Sequence, residues 1–109
     1  MSKITIKEYQ DFTPTVFVVK PENALNYLIT GLAAEAGEVA GVYAKYLRGD
    51  YGGEEVALKL SKEMGDCFYF LFQLANQLGL EVGDILQANE DKLKDRLIRG
   101  VLKGNGDDR

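Results

Sequence analysis

Glu35-x-x-Glu38 and Glu63-x-x-Asp66 place four carboxylates at helical spacing in a chain of 109 residues that contains no histidine. Residues three apart lie about one turn apart on the same side of a helix, so each pair can aim two carboxylates at one point. Glu35 falls between Leu28, Leu32, Val39 and Val42, and Glu63 falls within the arc of Val56, Cys67, Phe70 and Leu74; Glu38 and Asp66 stand at the edges of those arcs. Two such helices side by side make an acidic nest facing apolar surface, stable only when a cation or protons neutralise it. Ligands that are all oxygen suit Mg²⁺, Mn²⁺ or Ca²⁺. Mg²⁺ keeps several waters and binds through a few carboxylates together with substrate phosphates, so the nest points to a phosphate-bearing ligand. Carboxylate bundles that hold iron pair Glu with His one turn on, and this chain has no His to offer.

The elements that must position these acids follow from hydrophobic period. A short amphipathic start around Thr5 to Phe12 gives way to Thr13-Pro14 and a β-branched run, Thr15 to Val19, which reads as an extended linker closed by Pro21. From Glu22, Leu25, Leu28, Leu32, Val39, Val42 and Tyr46 trace one face of a first long helix, stopped by Arg48-Gly49-Asp50-Tyr51-Gly52-Gly53. Gly37 and Gly41 inside it lower helix stability by roughly 1 kcal/mol each, which predicts close packing of another backbone or a local kink there. A second helix spans about Glu54 to Leu78 and is apolar on both sides, through Val56, Leu60, Cys67, Phe70, Leu71, Leu74 and Leu78 on one and Leu58, Phe68, Tyr69 and Phe72 on the other. Such a helix is central or shared with a partner subunit. Gly79 ends it, and a third long helix runs from about Glu81 to Arg99. The expectation is an all-α antiparallel bundle forming one domain over residues 1–109, completed by oligomerisation, with residues 100–109 as a Gly-rich tail.

Composition narrows the function classes. The net charge of −4, with 17 acids against 13 bases, argues against a nucleic-acid partner. One cysteine and no histidine allow neither a disulfide framework nor a Cys/His zinc site, and Cys67 reads as a small buried hydrophobe. No apolar run approaches the ~20 residues of a membrane span and the start lacks a signal-peptide core, so a soluble, unprocessed, cytoplasmic protein without a membrane partner is expected.

Asn89, Lys92 and Arg96 recur at i, i+3 and i+7 on the third long helix and form one polar stripe. Arg offers a planar fork and Lys a compact charge to phosphate oxygens, whereas the plainer reading is a solvated face paired with Glu90 or Asp95. Lys59, one turn before Glu63, reads equally as an i, i+4 ion pair or as a phosphate contact. Phe68, Tyr69 and Phe72 fit core or interface better than base stacking. The tail from Gly100 to Arg109 either closes over a ligand or hangs free, and its composition favours disorder.

Taken together, Gly31 to Val39, Lys62-Glu63-Met64-Gly65-Asp66, Asn89 to Arg96 and the ending Gly104 to Arg109 resemble the MazG-like nucleotide pyrophosphohydrolases, of the all-α superfamily that includes dimeric dUTPases and phosphoribosyl-ATP pyrophosphatases. The resemblance implies Mg²⁺-dependent (or Mn²⁺-dependent) hydrolysis of a nucleoside triphosphate to the monophosphate and pyrophosphate. It implies Glu35, Glu38, Glu63 and Asp66 as metal ligands, with Lys59, Asn89, Lys92 and Arg96 toward the substrate, in a homodimer or homotetramer. Two positions depart from the pattern. Relatives often carry Glu-Glu where this chain has Ala34-Glu35, and a Trp where it has Tyr69. The missing acid keeps open a second reading, a helical nucleotide-binding or regulatory module without turnover.

Overall fold

Thr5 starts the first helix by a reciprocal cap: its hydroxyl accepts the Glu8 N–H at 3.1 Å while the Glu8 carboxylate accepts the Thr5 N–H at 3.0 Å. The computed structural model describes residues 2–109. Four helices follow in order, α1 (Ile6–Phe12), α2 (Ala24–Arg48), α3 (Gly53–Gln77) and α4 (Val82–Arg99), and no strand occurs among the described residues. The fold is all-α. α2, α3 and α4 lie within two residues of the ends that hydrophobic period predicted, and α2 ends at Gly49 in the left-handed conformation.

The segment read as an extended linker is half turn. Thr13–Val16 forms a 3₁₀ turn and only Phe17 onward is extended. Thr15 explains the difference, since its Oγ1 donates back to the Phe12 carbonyl at 2.7 Å. Hydroxyls bonding to the preceding turn override β-branched propensity.

α2 and α3 pack along their length as a hairpin and supply the core: Ala24 and Leu28 of α2 are buried, as are Val56, Phe70 and Ala75 of α3. The intimate contact predicted at Gly37 and Gly41 lies elsewhere. A Cβ at either would meet open space, whereas a Cβ at Gly31 would fall 2.1 Å from the Phe70 ring. Gly31 is thus the position where the absence of a side chain lets an aromatic ring lie on the helix backbone.

A second, polar cluster ties the chain's start to its end. Thr13 is fully buried and its hydroxyl donates to Gln73 Oε1 at 2.8 Å, while Asn76 Nδ2 donates to the Gln10 carbonyl and to Thr13 Oγ1 at 2.9 and 3.0 Å. Gln10 Nε2 donates to Asn76 Oδ1 and the Leu80 carbonyl, and Gln10 Oε1 accepts the first N–H of α4, from Val82, at 2.9 Å. Gln10 therefore caps α4 from 72 residues away.

α4 packs on α1 and makes at most marginal contact with α2 or α3. Leu25, Leu71 and Leu78, placed on inward arcs by periodicity, are 41, 45 and 52 % exposed, and Leu93, Leu97 and Ile98 of α4 are exposed as well. The radius of gyration is 17.0 Å, against about 13 Å for a compact chain of this length. A single chain leaves much of its apolar surface uncovered.

The tail is ordered by its own contacts rather than free. Arg109 donates to the carbonyls of Gly106, Leu102 and Val101 at 2.7, 3.0 and 3.1 Å, closing residues 101–109 into a loop against the end of α4. Carbonyls facing one guanidinium fork supply the order that the Gly-rich composition concealed.

Candidate metal centre

Glu35 comes from the middle of α2, and Glu63 and Asp66 from the middle of α3. The hairpin sets these midpoints side by side, and one carboxylate oxygen from each lies within 4.8 Å of the others. Oxygens on opposite sides of a divalent ion are ~4.2 Å apart for Mg²⁺ and ~5 Å for Ca²⁺. Three hard donors at this spacing fit a divalent ion with little movement.

Burial is graded rather than complete. Glu35 and Glu63 are half-buried, while Glu38 and Asp66 are exposed. The dry nest inferred from the apolar arcs is therefore open on one side in the single chain, because the two acids at the edges of the arcs face solvent. Charge crowding is nonetheless present. Partial burial raises the Glu35 carboxyl above its ordinary value, and Asp66, Glu63 and Glu38 push it in the same direction. The Cys67 thiol is raised by burial and by Glu35, Asp66 and Glu63, and the Tyr9 phenol by burial and Asp66. A cation among the acids would relieve this repulsion.

Glu38 stands outside the three-acid group and lines a neighbouring hollow of about 280 Å³ with Val42, Lys45, Tyr51, Lys59, Lys62 and Glu63. Glu63 belongs to both, so acids and bases meet at one carboxylate. Lys59 forms no i, i+4 ion pair with Glu63 among the described residues; its Nζ sits 5.1 Å from the centroid of the Tyr51 ring. That ring is fixed in turn by the Tyr51 hydroxyl donating to the Val42 carbonyl at 2.6 Å. Sequence reasoning missed Lys45 and Lys62. The signal was present, since Lys45 lies seven residues after Glu38 on the same face of α2 and Lys62 directly precedes Glu63.

Tyr9 was also missed, because nothing in the spacing of α2 and α3 announces a residue arriving from α1. Tyr9 joins Phe68, Phe72, Ile4, Ile6 and Leu86 around an apolar cleft of about 400 Å³ that reaches Gly65, the neighbour of Asp66. Phe68 and Phe72 thus face this cleft, while Tyr69 packs edge-on against Phe70 with ring centroids 5.5 Å apart.

The α4 stripe is not brought to the acids within one chain. Lys92 and Arg96 make their side-chain contacts with the tail, where Lys92 Nζ donates to Asp107 Oδ1 at 2.8 Å and Arg96 Nη2 donates to both the Asp107 carbonyl and its carboxylate. Pairing with Glu90 or Asp95 falls to Lys94 and Arg99 instead, at 3.1 and 2.8 Å. Asn89 turns toward a shallow groove with Glu90, Leu93, Lys94, Leu97 and Leu102.

A family model described as the MazG nucleotide pyrophosphohydrolase domain matches residues 23–98, the stretch that holds all four acids and the α4 stripe. The chain belongs to that family. It is 41 % identical over 87 residues to the Gene 37 protein of Mycobacterium phage L5, covering 78 % of this chain and 76 % of that one. No solved structure matches it. Within this MazG domain the matched region takes in α2, α3 and nearly all of α4 and leaves out α1 and the tail. The parts that anchor α4 and fold over its end therefore lie outside the matched residues.

Proposed function

We propose that this MazG domain is a Mg²⁺-dependent nucleoside triphosphate pyrophosphohydrolase acting in control of the cytoplasmic nucleotide pool. The observation that carries the reading is the convergence of Glu35, Glu63 and Asp66 beside a hollow lined by Lys45, Lys59 and Lys62. Water adds across the α–β phosphoanhydride bond, giving the monophosphate and pyrophosphate. Bound Mg²⁺, or Mn²⁺, would neutralise the acids and place positive charge against the phosphate oxygens. Glu35, Glu63 and Asp66 would hold it, with Glu38 closing in from the rim.

Lys59 is the sequence-predicted cation nearest the acids and serves the phosphates from within the chain. Asn89, Lys92 and Arg96 reach the phosphates of a second copy in a homodimer or homotetramer, which also covers the exposed Leu71, Leu93 and Leu97. Purified protein with Mg²⁺ should release pyrophosphate from at least one member of a panel of ribo- and deoxyribonucleoside triphosphates. Silence across the panel would remove catalysis.

Ala34 and the outlying Glu38 favour one other reading, a nucleotide-binding module that does not turn over. Calorimetry separates the two. Nucleotide affinity that survives Glu38→Gln, with no hydrolysis by either protein, selects the module.

A further inference from the structure

Asp107 occupies the α4 stripe as an internal anion. Its Oδ1 takes the Lys92 ammonium at 2.8 Å and the Arg96 Nη2 at 3.3 Å, and these two bases pull its carboxyl below the ordinary aspartate value. Among the described residues, the segment that delivers it is tied only to itself and to α4. Gly106, at φ +85°, turns the chain through a conformation closed to most side chains. Arg109 clamps the loop, and Arg99 Nη2 donates to the Arg109 carbonyl oxygen at 2.5 Å. Nothing in this closure involves α2 or α3.

The occupant is an imperfect one. A guanidinium gives its strongest grip to an anion through two parallel N–H bonds, yet among the described residues Arg96 Nε is buried without a partner while Nη2 carries the whole contact with Asp107. A buried donor left unpaired is costly. A terminal phosphoryl group carries three oxygens and can serve Nε, Nη2 and the Lys92 ammonium together. Exposure favours the exchange as well, since the Arg96 side chain is 6 % exposed beneath the tail while that of Asp107 is 80 % exposed. Replacing Asp107 requires the tail to move and α4 to stay.

We propose that residues 100–109 are a strap that holds the phosphate-gripping face of α4 with the Asp107 carboxylate, and that a polyphosphate displaces this carboxylate when it binds. The strap rests on the reading of Lys92 and Arg96 as phosphate holders given above. It makes the tail a competitive brake: while strapped, the stripe is neutralised, and once an anion takes the fork, Gly104 to Arg109 swings free.

The test uses the full chain and inorganic pyrophosphate, without divalent metal. Calorimetry should show Asp107→Asn binding pyrophosphate roughly threefold or more tightly than the parent, the scale of an exposed ion pair removed as competitor. Arg109→Gln, which unties the loop and leaves the carboxylate intact, should shift affinity the same way, and Lys92→Gln should weaken it. Brief trypsin treatment read by intact mass gives a second measure, because cleavage after Lys103 should quicken with pyrophosphate and, in Asp107→Asn, without it. Slower cleavage with pyrophosphate, or weaker binding by Asp107→Asn, overturns displacement. Binding in the parent that neither tail variant alters sinks the strap alone. Absence of pyrophosphate binding in parent and variants removes the phosphate role of α4 along with it.

Discussion

The acids of the α2–α3 hairpin and the basic stripe of α4 are positioned on opposite principles. In the hairpin, two 25-residue helices joined by a short turn set the position of every acid by helical period, so Glu35, Glu63 and Asp66 converge with no long-range bond to place them. In α4, the same period lines up Lys92 and Arg96, but where that line points depends on Gln10, a residue of α1 that caps α4 through one side-chain oxygen. Local regularity suffices to assemble the acids. The bases depend for their aim on a bond from a distant residue, and make their side-chain contacts with the tail.

The largest expected effect breaks the hairpin half. Glu63→Gln and Glu35→Gln should each cut Mg²⁺-dependent turnover more than about 100-fold, since ligand loss exceeds the effects seen for outer partners of metal ligands. Neither should lower the melting temperature in EDTA, because removing one carboxylate relieves the crowding that raises Glu35. Mg²⁺ should raise the melting temperature of the parent and not of the variants. A sharp fall in EDTA would mean that the acids stabilise the hairpin by themselves.

That asymmetry also explains what could be read in the sequence. α2, α3 and α4 were legible because apolar spacing fixes a helix and glycine fixes its end, and the acids were legible because they interrupt that spacing. The Thr13–Gln73–Asn76–Gln10 cluster was not, since it joins two uncharged polar pairs 60 or more positions apart and nothing in either pair announces the other. The close contact at Gly31 was assigned to Gly37 and Gly41 for a related reason. A glycine in a helix signals a neighbour, yet only the packed hairpin shows that the neighbour is the Phe70 ring. Tail order was hidden because Arg109 bonds to carbonyls, which every residue carries.

Gln10→Ala attacks the tether. It strips partners from Val82 N–H, Asn76 Oδ1 and the Leu80 carbonyl at a buried site, and each buried polar group left unpaired costs about 1–3 kcal/mol. Urea unfolding should show a loss of at least that size. Gln10→Glu distinguishes the capping oxygen from the amide donors, because it keeps the acceptor for Val82 N–H and discards the bonds to Asn76 and Leu80. If Gln10→Ala leaves stability unchanged, α4 is held by something other than this side chain.

Two glycines within the hairpin sharpen the contrast between packed and open surface. Gly31→Ala drives a Cβ into the Phe70 ring and should destabilise by about 1–3 kcal/mol through overpacking, against a helix-propensity gain of about 1 kcal/mol. Gly37→Ala meets open space in one chain and should stabilise by up to about 1 kcal/mol. A destabilised Gly37→Ala protein would place a second backbone there in the assembled molecule.

The smallest effect is electrostatic and belongs to the tail. Lys92 first, then Arg96, hold the Asp107 carboxyl below its ordinary 3.8, so the attraction is at full strength above that pH and is lost as pH falls through the depressed value. Asp107 is the carboxylate through which these two bases hold the strap. Amide exchange of residues 104–109 should therefore quicken, relative to that of α4, as the solution is taken below pH 3.8. Asp107→Asn should remove the portion of this change that Asp107 supplies and show faster exchange already at neutral pH. A pH response identical in parent and variant would leave Asp107 no part in holding the strap.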